Sequence, residues 1–218
     1  MPDQLTLTGG ALTLGAGGTI GSLQQTGGAL AATGTVTLTG ASTLSQGQLS
    51  SGTLLNQGKL TVGDTGSSSV PGYVVGDGAV LENAGNATVQ GTIRFNLTGV
   101  LRNDAGATMN IANRTNASLV SANAAQSAFA ALFDNQGNLN VGFAAFTVAS
   151  AFNSSGSITY TGNSGSSLNL EGGGTISGSL TGNGWRFAVR VKYRKARAVH
   201  NRRGRERRHG RRWPALEY

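Results

Sequence analysis

A short repeated unit constrains the fold of this chain more than any other feature of its sequence. A glycine followed by alternating aliphatic residues occurs as GALTLG from Gly10, GTVTLTG from Gly34 and GKLTVG from Gly58, with starts 24 residues apart. Looser copies begin at Gly91, Gly106, Gly137, Gly156 and Gly174. Self-similarity at a period of about 20 to 50 residues is typical of solenoids, so we expect a stack of small equivalent units.

A second element precedes several of these glycines: an apolar residue, a spacer, an asparagine and then a glycine. Its asparagines are Asn56, Asn83, Asn103, Asn135 and Asn153, which follow Leu54 or Leu55, Leu81, Leu101, Phe133 and Phe152. Asn and Gly tolerate positive φ and mark sharp corners, whereas the alternation after them places apolar side chains on one face of a strand. Strands of about three to five residues are too short for an ordinary sandwich. Stacking them pairs every backbone group.

We therefore predict an all-β chain in which residues 1–184 form a parallel β-solenoid. The composition agrees, because 35 Gly with only 3 Pro and 0 Cys excludes collagen and disulfide scaffolds. Aromatic residues make up 6% of the chain, so the core is expected to be narrow and aliphatic. One segment departs from the pattern. Ala125, Phe129 and Phe133 are spaced four apart, which predicts a short helical insertion over 118–133.

The repeats resemble a known family. The segments LFDNQGNLNVG (132–142) and FNSSGSITYTGNSGSSLNLEGGGTISGSLTGNG (152–184) are similar to the β-strand-repeat passenger regions of bacterial surface adhesins, of the autotransporter and filamentous haemagglutinin type. The resemblance covers nearly all of residues 1–184 and rests on repeat texture rather than on a catalytic motif. It implies a right-handed parallel β-helix on the cell surface, where such proteins adhere to host surfaces or to other cells.

The composition changes near residue 185. Residues 1–184 have a formal charge of −3, whereas residues 185–218 have +11 and contain both Trp and both His. Alternation over 187–194 predicts a last strand with a basic outer face, followed by a poorly ordered cationic tail. Two explanations stand. We favour out-of-frame translation of a GC-rich repeat gene, and the alternative is a genuine tail that binds polyanions such as nucleic acid with little specificity.

The sequence carries no strong catalytic, cofactor or metal signature. Acid–base cleavage of glycosidic bonds needs two carboxylates within about 5 to 10 Å of each other, and the acids of the repeat region are spread singly. The candidate pairs are Asp64 with Asp77 across a turn and Glu82 with Asp104 one coil apart, although solvated turn acids are the plainer interpretation. The two histidines lack cysteine partners, so no zinc site is expected. We predict no enzyme and no cofactor.

Threonine pairs offer a surface hypothesis. Thr-x-Thr pairs at Thr6 and Thr8, within Thr35–Thr39, and at Thr159 and Thr161 could form an ordered ladder of hydroxyls that binds ice or carbohydrate. Their irregular spacing in the sequence favours ordinary β-propensity instead.

These observations predict a structural and adhesive fragment of a bacterial cell-surface or secreted adhesin. Its expected partner is a glycan or protein of a host or cell surface, and its uncapped solenoid ends are expected to self-associate. The start MPDQLTLTGG is not a secretory signal and no apolar run reaches the ~18 residues of a membrane span, so the extracellular location applies to a longer parent protein. The alternatives are a polysaccharide-active β-helix enzyme, either lyase or hydrolase, and polyanion binding through the arginine-rich tail.

Overall fold

Parallel β-strands form the regular structure of the described part of the protein. The computed structural model describes residues 3–15, 17–63, 72–90, 93–95, 98–111, 118–121, 131–142, 146–161, 167–182 and 186–189. Across these ranges the chain is all-β, with no helix, and its strands pair only in parallel. The predicted all-β, parallel β-solenoid is confirmed.

The strands are short, apart from two long ones near the N-terminal end. In chain order they are β1 (Gln4–Leu7), β2 (Ala11–Leu14), β3 (Gly18–Ile20), β4 (Ser22–Leu38), β5 (Ala41–Asn56), β6 (Lys59–Val62), β7 (Tyr73–Val75), β8 (Val80–Asn83), β9 (Asn86–Val89), β10 (Ile93–Phe95), β11 (Val100–Asn103), β12 (Thr108–Ile111), β13 (Ser118–Ser121), β14 (Leu132–Asn135), β15 (Asn138–Val141), β16 (Phe146–Val148), β17 (Ala151–Ser154), β18 (Ser157–Tyr160), β19 (Ser167–Leu170), β20 (Gly174–Ile176), β21 (Ser179–Gly182) and β22 (Arg186–Val189).

Each turn of the solenoid supplies one rung to each of three parallel ladders. Ladder A contains β1, the starts of β4 and β5, β6, β9, β12, β15, β18 and β21. Ladder B contains β2, the middles of β4 and β5, β7, β10, β13, β16, β19 and β22. Ladder C contains β3, the ends of β4 and β5, β8, β11, β14, β17 and β20.

The long strands β4 and β5 are whole turns rather than exceptions. Each one pairs along its length with rungs of all three ladders, and the pairing between them shifts register between Gln25 and Ala29 and again between Leu30 and Thr35. An extra residue in a ladder bends the strand. The shifts therefore mark the places where these two turns change from one ladder to the next.

Alternation along each strand builds the core. In β9, Ala87 and Val89 are buried whereas Asn86 is exposed and Thr88 is half-buried, and β6, β8, β11, β12 and β15 repeat this two-residue pattern. Because the register is parallel, buried aliphatic residues of successive turns stack directly on one another. Larger rings enter at Phe133 and Phe152, which are adjacent rungs with ring centroids 5.1 Å apart. The result is the narrow, mainly aliphatic core that the composition predicts.

A column of buried amides runs through the end of ladder C. Asn56 donates from Nδ2 to Oδ1 of Asn83 at 2.7 Å, Asn83 to Asn103 at 2.8 Å, and Asn103 to Asn135 at 2.8 Å. Asn135 closes the column by donating to the hydroxyl of Ser154 at 2.9 Å. All five side chains are 2% exposed or less. A buried amide is tolerated only when its donors and acceptors are satisfied, and here each rung satisfies the next.

The same amides also fix the corner that follows them. Asn56 accepts a hydrogen bond from the Gly58 amide at 3.2 Å and donates to the Gly58 carbonyl, and Asn83 donates to the carbonyls of Gly85 and Thr108. This accounts for the Asn–Gly spacing in the sequence. The fifth predicted copy of the motif was placed one residue too early, because Ser154 and not Asn153 pairs with Asn135.

Glycine is required after the asparagine because the backbone of the previous turn lies very close. A Cβ on Gly85 would lie 2.5 Å from the carbonyl oxygen of Gly58 and 2.7 Å from that of Gln57. Real Cβ atoms do not approach backbone oxygens so closely, so a side chain at Gly85 would push the two turns apart.

A second buried polar group lies between ladders A and B. Gln25 is fully buried, donates to the carbonyls of Gly28 and Gln48, and accepts a 2.9 Å hydrogen bond from the hydroxyl of Tyr73. Burial raises the pKa of Tyr73 above its ordinary value, so the phenol keeps the proton that it donates.

The predicted helical insertion at 118–133 is wrong at both of its ends. Ser118–Ser121 is a rung of ladder B, and Leu132 and Phe133 begin β14 in ladder C. Phe133 is buried by the period-two alternation of that strand, and not by a helical spacing. Residues 122–130 lie outside the described residues.

Of the predicted last strand at 187–194, β22 (Arg186–Val189) forms the first part and pairs with β19. The remainder of that strand and the arginine-rich tail lie outside the described residues.

Candidate functional site

The outward side chains of ladder A are mostly polar and uncharged, and we call this surface the neutral face. Its more regular row is named the threonine row. The row runs continuously, with each member in register with the next, through Thr6, Gln24, Thr43, Thr61, Thr88, Asn110, Asn140, Thr159 and Thr181. These side chains are exposed in the outer turns and half-buried in the middle ones. No member of the row carries a charge.

A second row lies beside the first, two residues earlier in each strand. Its continuous part is formed by Ala41, Lys59, Asn86, Thr108, Asn138, Ser157 and Ser179. Residues two apart on a strand lie about 7 Å from each other, and successive rungs lie about 4.8 Å from each other. The neutral face is therefore a two-column grid of hydroxyls and amides with Lys59 as its charged member.

Hydrogen bonds between rungs hold several side chains of this grid in place. Asn140 donates to Asn110 at 2.9 Å, and Ser157 donates to Asn138 at 2.8 Å. Thr181 contacts the hydroxyl of Thr159 at 3.4 Å. These groups are fixed by the fold, so a ligand would meet an already ordered pattern of donors and acceptors.

Ladder C presents a charged row instead. Arg102 is in register with Glu82 on one side and Asp134 on the other. Its guanidinium lies 3.8 Å from a Glu82 oxygen and 3.5 Å from an Asp134 oxygen. The arginine side chain is 37% exposed and the two acids are about 20% exposed. Solvent screens ion pairs at such a surface, so the row holds its charges in position without adding much stability.

Glu82 and Asp104 are one of the two predicted acid pairs, and their carboxyl groups are in contact. The Asp104 amide donates to the carbonyl of Asn83 at 2.9 Å, which places Asp104 beside Glu82 on the neighbouring turn. Partial burial and the Asp104 carboxyl, which shares a side-chain hydrogen bond with Glu82, raise the pKa of Glu82, whereas Arg102 opposes the shift.

This contact limits the chemistry that the pair supports. Retaining and inverting glycosidases keep their two carboxyls about 5 to 9.5 Å apart to leave room for a sugar carbon or a water. Carboxyls joined by a hydrogen bond lie nearer than that. The contact therefore does not match a nucleophile and an acid on opposite sides of a bond.

The second predicted acid pair, Asp64 with Asp77, stays a prediction. Asp77 pairs with the hydroxyl of Thr98, and Asp64 lies outside the described residues. Within the described ranges, no group of three or more His, Cys, Asp or Glu side chains is arranged to hold a metal ion. Among those same residues, no helix is long and apolar enough to cross a membrane.

The charged row was missed at the level of sequence, although a signal for it existed. Glu82, Arg102 and Asp134 occupy the same place in three copies of the asparagine motif, between the apolar residue and the asparagine. Aligning the copies on Asn83, Asn103 and Asn135 would have placed acid, base and acid on consecutive rungs.

In the structure, the members of the predicted threonine pairs do not all lie in one row. Thr6 and Thr159 belong to the threonine row, but Thr8 and Thr161 follow the ends of their strands and Thr37 lies in ladder C. The ordered hydroxyls come from one residue per turn, and not from pairs within a strand.

No protein-family model, no curated protein and no solved structure matches this chain.

Proposed function

We propose that this chain is a structural and adhesive repeat segment of a bacterial cell-surface or secreted adhesin, and that it performs no catalysis. The stacked ladders support this proposal most directly. They form a rod on the order of 40 Å long at about 4.8 Å per rung, whose interior is filled by aliphatic side chains and the asparagine column. Such a rod displays outward-facing side chains at fixed spacings. The repeat texture shared with adhesin passengers supports the same role.

Surface display tests the adhesive role. The chain would be fused to a heterologous outer-membrane anchor in a non-adherent bacterium, with the anchor alone as the control. We expect increased attachment to cultured epithelial cells or to neighbouring bacteria. Resistance of the displayed chain to protease would show that it is folded. If a folded chain attaches no better than the anchor alone, the proposal is contradicted.

Self-association of the solenoid ends belongs to the same proposal. Aliphatic side chains at the two ends are half-buried, whereas the equivalent ones in the middle are fully buried. The half-buried side chains are Leu5, Leu12 and Leu14 in the first described turn, and Ile176 and Leu180 in the last turns. A stack of strands with open edges associates readily. Sedimentation velocity at increasing concentration is expected to show growing species, and a strict monomer would remove this part of the proposal.

A polysaccharide-active enzyme is the second candidate. The observation that favours it is that two carboxyl groups, those of Glu82 and Asp104, lie together beside Arg102. Their contact is closer than a hydrolase needs, so a lyase is the form of enzyme to test. The test is incubation of the chain with polygalacturonate and with neutral glycans, followed by assays for new reducing ends and for unsaturated products. Cleavage lost in both Glu82→Gln and Asp104→Asn would establish it, and no cleavage would dismiss it.

Polyanion binding by the tail is the third candidate, and it is favoured by the charge of +11 in residues 185–218. Deletion of residues 190–218 keeps β22 and its pairing with β19. The full chain is expected to be retained on heparin and the truncated chain to pass through. Equal retention would rule out the tail as the cause.

A further inference from the structure

The threonine row of the neutral face differs in charge from the outward row of ladder C. On ladder C, the outward positions of three consecutive turns carry Glu82, Arg102 and Asp134. In the same turns, ladder A carries Thr61, Thr88 and Asn110 in its threonine row. Charge on a surface selects charged partners and repels like ones. The threonine row instead suits a partner without charge.

The side chains of the threonine row also restrict the kind of neutral partner. A threonine hydroxyl both donates and accepts, and an asparagine amide does the same through separate atoms. The face therefore complements a ligand whose own groups donate and accept at many points, which describes the hydroxyls of a sugar. An apolar partner would leave these groups unsatisfied on binding.

The length of the face adds a third restriction. In-register rungs extend the threonine row from Thr6 to Thr181, on the order of 40 Å. A compact oligosaccharide would cover only a few rungs. Only a ligand that extends along one axis, with hydroxyls repeating along it, can contact the whole row at once.

Hydrogen bonds between rungs already hold several side chains of the face in place, which favours binding through many weak contacts. The bonds Asn140–Asn110, Ser157–Asn138 and Thr181–Thr159 already order side chains on both rows. A ligand therefore does not have to order them, which removes part of the entropic cost of binding. Many such contacts along one rigid face act together as a multivalent site.

We propose that the neutral face binds an extended, uncharged polysaccharide, with the threonine row along the sugar chain. The proposal deepens the adhesive function above by naming the ligand class and the face, and it rests on that function for its biological setting only. The contacts are hydrogen bonds between neutral groups, so binding is expected to be insensitive to salt.

The test uses the full chain with two insoluble neutral glycans, cellulose and chitin, and with polygalacturonate and heparin as charged comparators. We expect co-sedimentation with at least one neutral glycan, unchanged when the NaCl concentration is raised. Binding to the charged polymers is expected to fall with salt, as tail-driven binding does. Failure to bind both cellulose and chitin, or neutral-glycan binding that falls with salt, overturns the proposal.

Matched variants locate the site. Thr88→Arg with Asn140→Arg places two cations in the threonine row, and we expect binding to fall about tenfold or more. The control is Thr37→Arg, which introduces the same side chain at a half-buried strand threonine of ladder C. Denaturation midpoints of all variants would be compared with that of the parent chain, to show that they are folded.

The outcomes separate this proposal from the adhesive function. Equal loss of binding in the ladder A and ladder C variants, or no loss in either, overturns the assignment of the face. Displayed chains that adhere to cells equally well with and without the arginines would retain the adhesive function and remove the neutral face from it. Glycan binding without any adhesion to cells would retain the neutral face as a glycan site and contradict the adhesive function.

Discussion

The side-chain amide of Asn83 donates a 2.8 Å hydrogen bond to Oδ1 of Asn103, which is 20 residues later in the chain and directly above it in the solenoid. Asn83 in turn accepts from Asn56, and Asn103 donates to Asn135. Every amide therefore depends on its neighbours in the adjacent turns. Such a chain of bonds stabilises one register only, because a shift by one residue would place each amide opposite an outward-facing position of the next turn, as Asn83 would be opposite Arg102 or Asp104.

Removing one amide from the middle of the column is expected to be strongly destabilising. In Asn103→Ala, the Asn83 donor and the Asn135 acceptor lose their partners in a buried site. We expect a loss of about 2 to 4 kcal/mol of unfolding free energy, measured by urea denaturation of the full chain. Asn103→Ser should lose less, since the hydroxyl of Ser154 already completes the column from such a position.

The matched control for that change is Asn138→Ala, which removes an exposed amide that accepts a hydrogen bond from Ser157. Surface substitutions of this type usually change stability by about 0.5 kcal/mol or less. Equal shifts for Asn103→Ala and Asn138→Ala would show that the column does not stabilise the fold.

A methyl group at Gly85 is expected to separate two turns. The added Cβ would meet the Gly58 carbonyl oxygen at 2.5 Å, so the backbone must move. Overpacking of this kind usually costs about 1 to 3 kcal/mol, which should lower the denaturation midpoint of Gly85→Ala. In Gly9→Ala the Cβ meets nothing within 4 Å, and we expect little change or a slight stabilisation. Gly85→Ala as stable as Gly9→Ala would refute the close approach.

The aromatic contact in ladder C predicts a graded loss of stability. Phe152 is fully buried against Phe133, with ring centroids 5.1 Å apart. Phe152→Ala should lower the free energy of unfolding by about 3 to 5 kcal/mol, and Phe152→Leu by less, because leucine refills most of the volume. Thermal denaturation followed by circular dichroism would rank them. A leucine variant less stable than the alanine variant would contradict this packing.

The carboxyl pair predicts a definite dependence of stability on pH. The pKa of Glu82 is raised in the folded protein, so the folded state holds this proton more tightly than the unfolded chain does. The stability contributed by this group is present below its ordinary pKa of 4.5 and is lost as the pH rises through the raised value. Glu82→Gln should therefore gain stability relative to the parent chain as the pH is increased from acidic to neutral, in paired denaturation experiments.

Carboxyl carbon-13 NMR titration of Glu82 separates the effects of its two charged neighbours, Asp104 and Arg102, on its pKa. Asp104→Asn removes the acid that raises the pKa of Glu82, so the titration midpoint should fall. Arg102→Gln removes the cation that lowers it, so the midpoint should rise. Midpoints that move in the same direction in both variants would show that Glu82 does not face both groups.

Several features of the site were readable from the sequence and several were not. The copies of the asparagine motif anticipate the rungs of ladder C, and the pairing of Glu82 with Asp104 was among the expected acid pairs. A ladder of hydroxyls is a hypothesis that the sequence raises, but irregular spacing argues against it there. The members of the threonine row are separated by 18 residues between Thr43 and Thr61 but by 27 between Thr61 and Thr88. The corners absorb these differences in length, so irregular spacing along the chain becomes regular spacing in space.

The sequence by itself determined the parallel β-solenoid, since period-two alternation with Asn and Gly at corners has no other way to bury its aliphatic residues and pair its short strands. Tertiary structure alone decided the register between turns. That register placed Ser154 rather than Asn153 directly above Asn135 and made strand from the ends of a segment with helical spacing. It also placed the uncharged threonine row and the row of Glu82, Arg102 and Asp134 on different ladders. The physical reason is that local propensity acts over a few residues, whereas the register is set by contacts between residues about 20 to 30 positions apart.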